Sequence, residues 1–413
     1  MYTVLFWIII AILVFDFILE LVLDHLNGKN VSLELPDEVK GIYDEQEYKK
    51  QQEYFKVNQK FGSLSSIFSF VVMMLMFFLF GFAFVDNIAR GCTTVPILIS
   101  LIFFGILFFA NEIISLPFGI YKTFVIEEKF GFNKMTPSLY VVDTIKSWLL
   151  AVILGGGIIA LLMLFYEKTG EFFWIIAWGL MALINIFMLM FYSNLIVPLF
   201  NKQTPLEDGE LRTEIEKFCE QVGYQLENLY VIDGSKRTTK ANAYFTGLGA
   251  KKRIVLYDTL MDNLTTQEIV AVLAHEIGHY KHKHTRTMLI ISLLNLGVMF
   301  YLLSLALGTP EEGNMYIAQA LGSEHPSFHF GIIVLGILYA PISLLLSIGS
   351  NVLSRKHEYQ ADSFAKEHGL GESLAEALKK LSVSTLSNLN PHPAYVFFHY
   401  SHPTLLQRLK NLK

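Results

Sequence analysis

Seven stretches of this chain, near residues 2–23, 66–86, 95–120, 147–166, 172–199, 287–308 and 328–352, are almost continuously apolar. A helix rises about 1.5 Å per residue, so about 20 such residues cross the roughly 30 Å hydrocarbon core of a bilayer. In water, runs of that length would leave far more apolar surface than one domain can bury. In lipid, helices satisfy every backbone N–H and C=O internally. Composition agrees, with 53% of the 413 residues hydrophobic and only 17% charged. The expected fold class is an all-α polytopic membrane protein with seven transmembrane helices. The first stretch has no basic lead and no small-residue cleavage site, so it is expected to stay as a helix.

Charge divides the connecting segments. Lys29, Lys40, Lys49, Lys50, Lys56 and Lys60 fall in 24–65, and Lys122, Lys129, Lys134 and Lys146 in 121–146. Segment 87–94 has only Arg90, 167–171 only Lys168, and 309–327 neither Lys nor Arg. The positive-inside rule then puts the N-terminus outside and the C-terminus in the cytoplasm. Two polar segments, 200–286 and 353–413, fall on the cytoplasmic side. The first reads as α+β, with helices over Glu210–Val222 and Thr266–His279 and strands over Leu229–Ile232 and Arg253–Tyr257. The second reads as helical with a break at Asn390–Pro393. The expected division is a membrane domain over 1–199 and a metallopeptidase domain over 200–413 that includes helices six and seven. A net charge of −5 gives no nucleic-acid footprint, and Cys92 and Cys219 form neither a disulfide framework nor a metal pair.

His275-Glu276-Ile277-Gly278-His279 is an HExxH motif. On a helix, positions i and i+4 share a face, so both imidazoles reach one ion while Glu276 takes a proton from water activated by zinc. A catalytic zinc needs a third protein ligand and an open position. Glu358 is the candidate, with Asp362 one turn on to receive an N–H from a ligating histidine, and His357 is its rival. His282 and His284, on a continuing helix with Lys281 and Lys283, read as a solvated basic end. A transporter or scaffold with a structural zinc would need a fourth protein ligand, and no cysteine lies nearby to supply one.

The segments Phe124–Lys134, Pro198–Asn201, Ser235–Gly247, Lys252–Leu260 and Tyr400–Leu409, together with HExxH and the Glu358–Asp362 pair, resemble the type I CAAX prenyl protease family. The resemblance implies helices around a chamber, closed on its cytoplasmic side by a gluzincin-like α+β zinc-peptidase domain. It implies one zinc ion on His275, His279 and Glu358, with Glu276 as general base. It also implies Asn242 beside the substrate backbone, His402 near the developing oxyanion and Arg408 in support. The implied substrate is a peptide or protein with an isoprenylated C-terminal cysteine, drawn from a lipid bilayer. Asp16, Glu20 and Glu112 would then face water inside the chamber. The short 309–327 linker favours a bacterial inner-membrane member, with processing or quality control of membrane proteins as its role; a eukaryotic member would sit in the endoplasmic reticulum.

Overall fold

A computed structural model of the chain describes residues 3–31, 35, 37–226, 228–246, 253–309 and 313–413. Among them, five helical runs are long and apolar enough to cross a membrane: Val4–Val31, Glu45–Phe78, Pro96–Glu127, Pro137–Phe200 and His284–Leu307. A sixth candidate is the pair Phe328–Leu338 and Ala340–Glu367, bent by 51°. The Pro137–Phe200 run holds 64 residues, about 96 Å if straight and far more than one bilayer needs. It turns back at Gly170, whose φ of +51° favours a residue without a Cβ. Its two legs then pack together, Leu162, Met163 and Tyr166 meeting Phe173 and Ala177. Counted as two legs, that run accounts for the expected 147–166 and 172–199 stretches.

The expected 66–86 span is corrected. Its helix begins at Glu45, where Asp44 and Glu47 form a reciprocal cap, and it stops at Phe78. Phe80 takes a left-handed φ of 51°, and a separate helix runs Gly81–Cys92. Lys49, Lys50, Lys56 and Lys60 therefore sit on a helix that extends beyond its apolar half, not on a loop. Ile113, Ile153, Leu183, Leu294 and Leu345 stay uncovered on the outer surfaces of these helices, where lipid would cover them.

The polar half carries a four-stranded sheet of β1 (Gln203–Pro205), β2 (Leu229–Ile232), β3 (Ala243–Thr246) and β4 (Arg253–Tyr257), in the order β1-β2-β4-β3. β2 and β4 are the expected strands and pair in parallel, Tyr230 beside Val255. The short edge strands β1 and β3 join antiparallel. Ile254 and Leu256 pack with Ile215, Phe218, Leu273 and Ile277 to form the core beneath the site. Gly247 and Lys252, at the ends of two family-like segments, lie outside the described residues.

Candidate metal centre

HExxH lies on the helix Thr266–Lys281. Thr265 and Glu268 cap it reciprocally, and Lys380 holds Glu268 at 2.6 Å. Its apolar face (Ile269, Leu273, Ile277) is buried against the sheet, which turns His275 and His279 toward Ala340–Glu367. Gly278 permits that approach: a Cβ there would lie 3.0 Å from the Cα of Ala361 and 3.2 Å from its carbonyl oxygen. Only a bare backbone lets these two helices close far enough for Glu358 and Asp362 to meet the histidines.

The meeting is close. His275 Nε2 and His279 Nε2 are 3.2 Å apart. Glu358 puts Oε2 at 3.4 Å from His275 Nε2 and Oε1 at 3.2 Å from His279 Nε2. A tetrahedral ion with bonds of about 2.0–2.1 Å spaces its ligands about 3.3–3.4 Å apart. Glu358 Oε2 is buried and makes no hydrogen bond, its cationic neighbours His275 Nε2 and Arg408 Nη1 standing off at 3.4 and 3.6 Å, so a cation seated among the donors would satisfy it better than either neighbour does. The donor set therefore fits a metal ion. His357, the rival ligand, instead stacks flat on His284 with ring centres 3.9 Å apart.

Asp362 and Arg408 stand behind His275. Asp362 Oδ1 lies 2.9 Å from His275 Nδ1, and Arg408 Nε donates to Asp362 Oδ2 at 3.0 Å. Burial pushes the His275 imidazole down, but the carboxylates of Asp362 and Glu358 outweigh it and lift it to about 9. Arg408 comes from the helix Leu405–Leu412, capped by Thr404 and Gln407. The same loop brings His402 Nε2 to 3.4 Å from Glu358 Oε1 with its side chain 64% exposed.

Glu276, Asn242, His402 and Arg408 line one cavity with the three clustered side chains, of about 960 Å³. Asn242 stands just before β3, whose strand partner among the described residues is β4. All eight residues singled out from sequence thus lie in or against one cavity. Glu20 and Glu112 also have protein partners, His399 at 3.4 Å and the indole N–H of Trp148 at 2.7 Å, and Glu20 keeps 50% of its side chain exposed.

His284 is where sequence reasoning failed. The helix does not continue: it ends at Lys281, Lys283 adopts a left-handed φ of 60°, and a new helix starts at His284. The turn swings His284 inward until only 4% of it is exposed, with Nδ1 3.0 Å from His279 Nδ1. No sequence pattern announces a left-handed lysine. Arg237 and Lys240 were also passed over. Arg237 grips Asp143 through two nitrogens at 2.9 and 3.1 Å, and Lys240 binds Glu127 at 2.7 Å.

Known proteins resemble the whole of this arrangement. Residues 25–202 match the family model described as CAAX prenyl protease N-terminal, five membrane helices, and residues 205–413 match peptidase family M48. CAAX prenyl protease 1 of Saccharomyces cerevisiae is 41% identical over 76% of this chain and 72% of its own length. The Dictyostelium discoideum homolog is 34% identical over 93% and 90%, and the human homolog 30% over 92% and 88%. The crystal structure of S. mikatae Ste24p is similar at a TM-score of 0.92 and 35% identity, covering 100% of this chain and 99% of that one.

Proposed function

The chain belongs to peptidase family M48 and is a multi-pass membrane metalloprotease; from that premise we propose a CAAX-type prenyl protease that holds one zinc ion on His275, His279 and Glu358. It hydrolyses a peptide bond near the C-terminus of a substrate whose cysteine carries an isoprenoid. The observation that carries this reading is the three-donor cluster at 3.2–3.4 Å, with an orphaned carboxylate oxygen, inside one cavity.

Zinc, when bound, supplies a Lewis acid that acidifies water and polarises a carbonyl. The chain's own residues do the rest. Glu276, on the same helix face as the ligands, accepts the proton from the attacking water and passes it to the leaving amine. The substrate backbone lies along the edge strand β3, where main-chain hydrogen bonds give register and Asn242 adds a side-chain donor. His402, half out in solvent beside Glu358, donates to the oxygen that gains charge. Asp362, held by Arg408, fixes His275 with its Nε2 lone pair turned to the metal. Leu374, Leu378 and Leu381 give the cavity an apolar wall on which the lipid tail lies. The lysine distribution supports an outside N-terminus and a cytoplasmic active site.

The test is Glu276→Gln assayed on a farnesylated CAAX peptide. Zinc content should match the wild type while cleavage falls about 10²–10⁴-fold, the worth of a general base. Wild-type turnover in the Gln variant would refute the mechanism. Equal cleavage of the same peptide without its farnesyl group would refute the substrate class.

A further inference from the structure

We propose that His284 sets the tautomer and ring orientation of His279 through a neutral relay that ends on Gln360. This rests on the reading of His275, His279 and Glu358 as metal ligands. Gln360 Oε1 lies 2.9 Å from His284 Nε2. A carboxamide oxygen only accepts, so His284 carries its hydrogen on Nε2 and presents a lone pair at Nδ1. That lone pair lies 3.0 Å from His279 Nδ1. His279 must then donate from Nδ1, which leaves the Nε2 lone pair facing His275 and Glu358 at 3.2 Å. The other tautomer would bring two lone pairs together at 3.0 Å and point a hydrogen into the metal pocket.

The relay is held from both sides. His357 lies on the His284 ring at 3.9 Å and 11°, which blocks rotation of either imidazole. The left-handed Lys283 fixes where the next helix begins, and so where His284 enters. The two histidine ligands are therefore backed unequally. His275 is backed by a carboxylate with an arginine on it, and His279 by an imidazole with a carboxamide on it. A carboxylate behind both would add negative charge to a pocket that already holds Glu358, Asp362 and Glu276. The neutral relay supplies orientation without that charge.

The test uses the full-length protein in detergent, stripped with chelator, with zinc affinity read by competition against a chromogenic chelator. Two controls address the underlying reading. Wild type must take up one equivalent, and His275→Ala must lose it; failure of either rejects the metal site itself. His284→Phe keeps the ring and its stacking but removes the acceptor. It is expected to weaken zinc about 10–100-fold, the usual cost of losing such a partner. His284→Asn, which restores an acceptor oxygen, should recover most of that loss. Gln360→Leu should weaken zinc less, and the His284→Phe/Gln360→Leu double variant should bind no worse than His284→Phe alone. With cobalt in place of zinc, the visible absorption band should shift in the Phe variant and return toward wild type in the Asn variant. A Phe variant within twofold of wild type overturns the relay, as do losses that simply add in the double variant. If His284→Phe does not fold, Gln360→Leu decides: unchanged zinc affinity and an unchanged cobalt band overturn the proposal.

Discussion

His275 is the residue at which proton and metal compete. Its imidazole is lifted from 6.5 to about 9 because the carboxylates of Asp362 and Glu358 outweigh the burial that opposes the charge. A histidine raised in this way stabilises the metal-free fold fully below about 6.5. That stability is lost as pH rises through about 9. A metal ion needs the same Nε2 lone pair, so it must displace the proton. Zinc uptake by chelator-stripped protein at pH 7.5 should therefore release about one proton from this site. The release should disappear above about pH 9. Titration calorimetry in two buffers of different ionisation enthalpy measures it directly. Identical heats in both buffers at pH 7.5 would mean that His275 is already neutral there.

Helices and turns decide whether the donors meet. A Cβ added at Gly278 would meet the backbone of Ala361 at 3.0–3.2 Å, and backbone has no rotamer by which to retreat. Alanine there gains about 1 kcal/mol of helix propensity and loses about 1–3 kcal/mol to overpacking. Its net destabilisation is thus about 0–2 kcal/mol. Valine gains less and pushes further, separating the two helices by roughly an ångström, which costs about 100-fold in turnover. Melting temperature and peptidase rate for the pair test this, and a valine variant with full activity would show slack between the helices. The same elements show what sequence could disclose. β2 and β4 were legible because Leu-Tyr-Val-Ile and Arg-Ile-Val-Leu-Tyr are dense in β-formers, and the motif helix because its apolar face is regular. β1, three residues ending in proline, carried no such signal, and β3, though Ala-Tyr-Phe-Thr favours a strand, lay inside a segment broken by polar residues on its N-terminal side. The helix from Glu45 had a visible start in Asp44 and Glu47, hidden behind a lysine-rich stretch that reads as a loop. His284 depended on one left-handed turn, and local propensity argues against a lysine there.

At the scale of the molecule, the apolar stretches were enough to fix the class, because lipid admits so few architectures. What they could not disclose is how the membrane helices grip the polar half. Two seams do this. Asn27 accepts from the backbone N–H of His392 at 3.1 Å, Asn30 donates to the carbonyl of Asn390 at 3.0 Å, and Tyr43 donates to the carbonyl of Ser382 at 2.7 Å. On the other side Arg237 forks onto Asp143 and also donates to the carbonyl of Phe200 at 2.7 Å, while Lys240 reaches Glu127 and lies 4.4 Å from the centre of the Phe132 ring. This second seam ends two residues before Asn242 and leads into the edge strand β3. The Arg237–Asp143 pair is largely shielded, with side chains 18% and 14% exposed. Breaking it should cost more than the 0–1 kcal/mol of a surface pair and less than the 3–5 kcal/mol of a fully buried one, so about 2 kcal/mol. If the seam sets the position of β3, Arg237→Ala should leave zinc stoichiometry intact, raise KM for the prenylated peptide several-fold and lower the melting temperature. Asp143→Ala should do the same to a smaller degree, since it leaves the Arg237 bond to the Phe200 carbonyl, and the double variant should be little worse than Arg237→Ala, which already removes the shared pair. Fully additive losses, or a loss of zinc in either variant, would mean that these side chains act on the two halves separately and that β3 is positioned by the sheet and by the Tyr244–Ser193 contact, 3.1 Å between hydroxyls, instead.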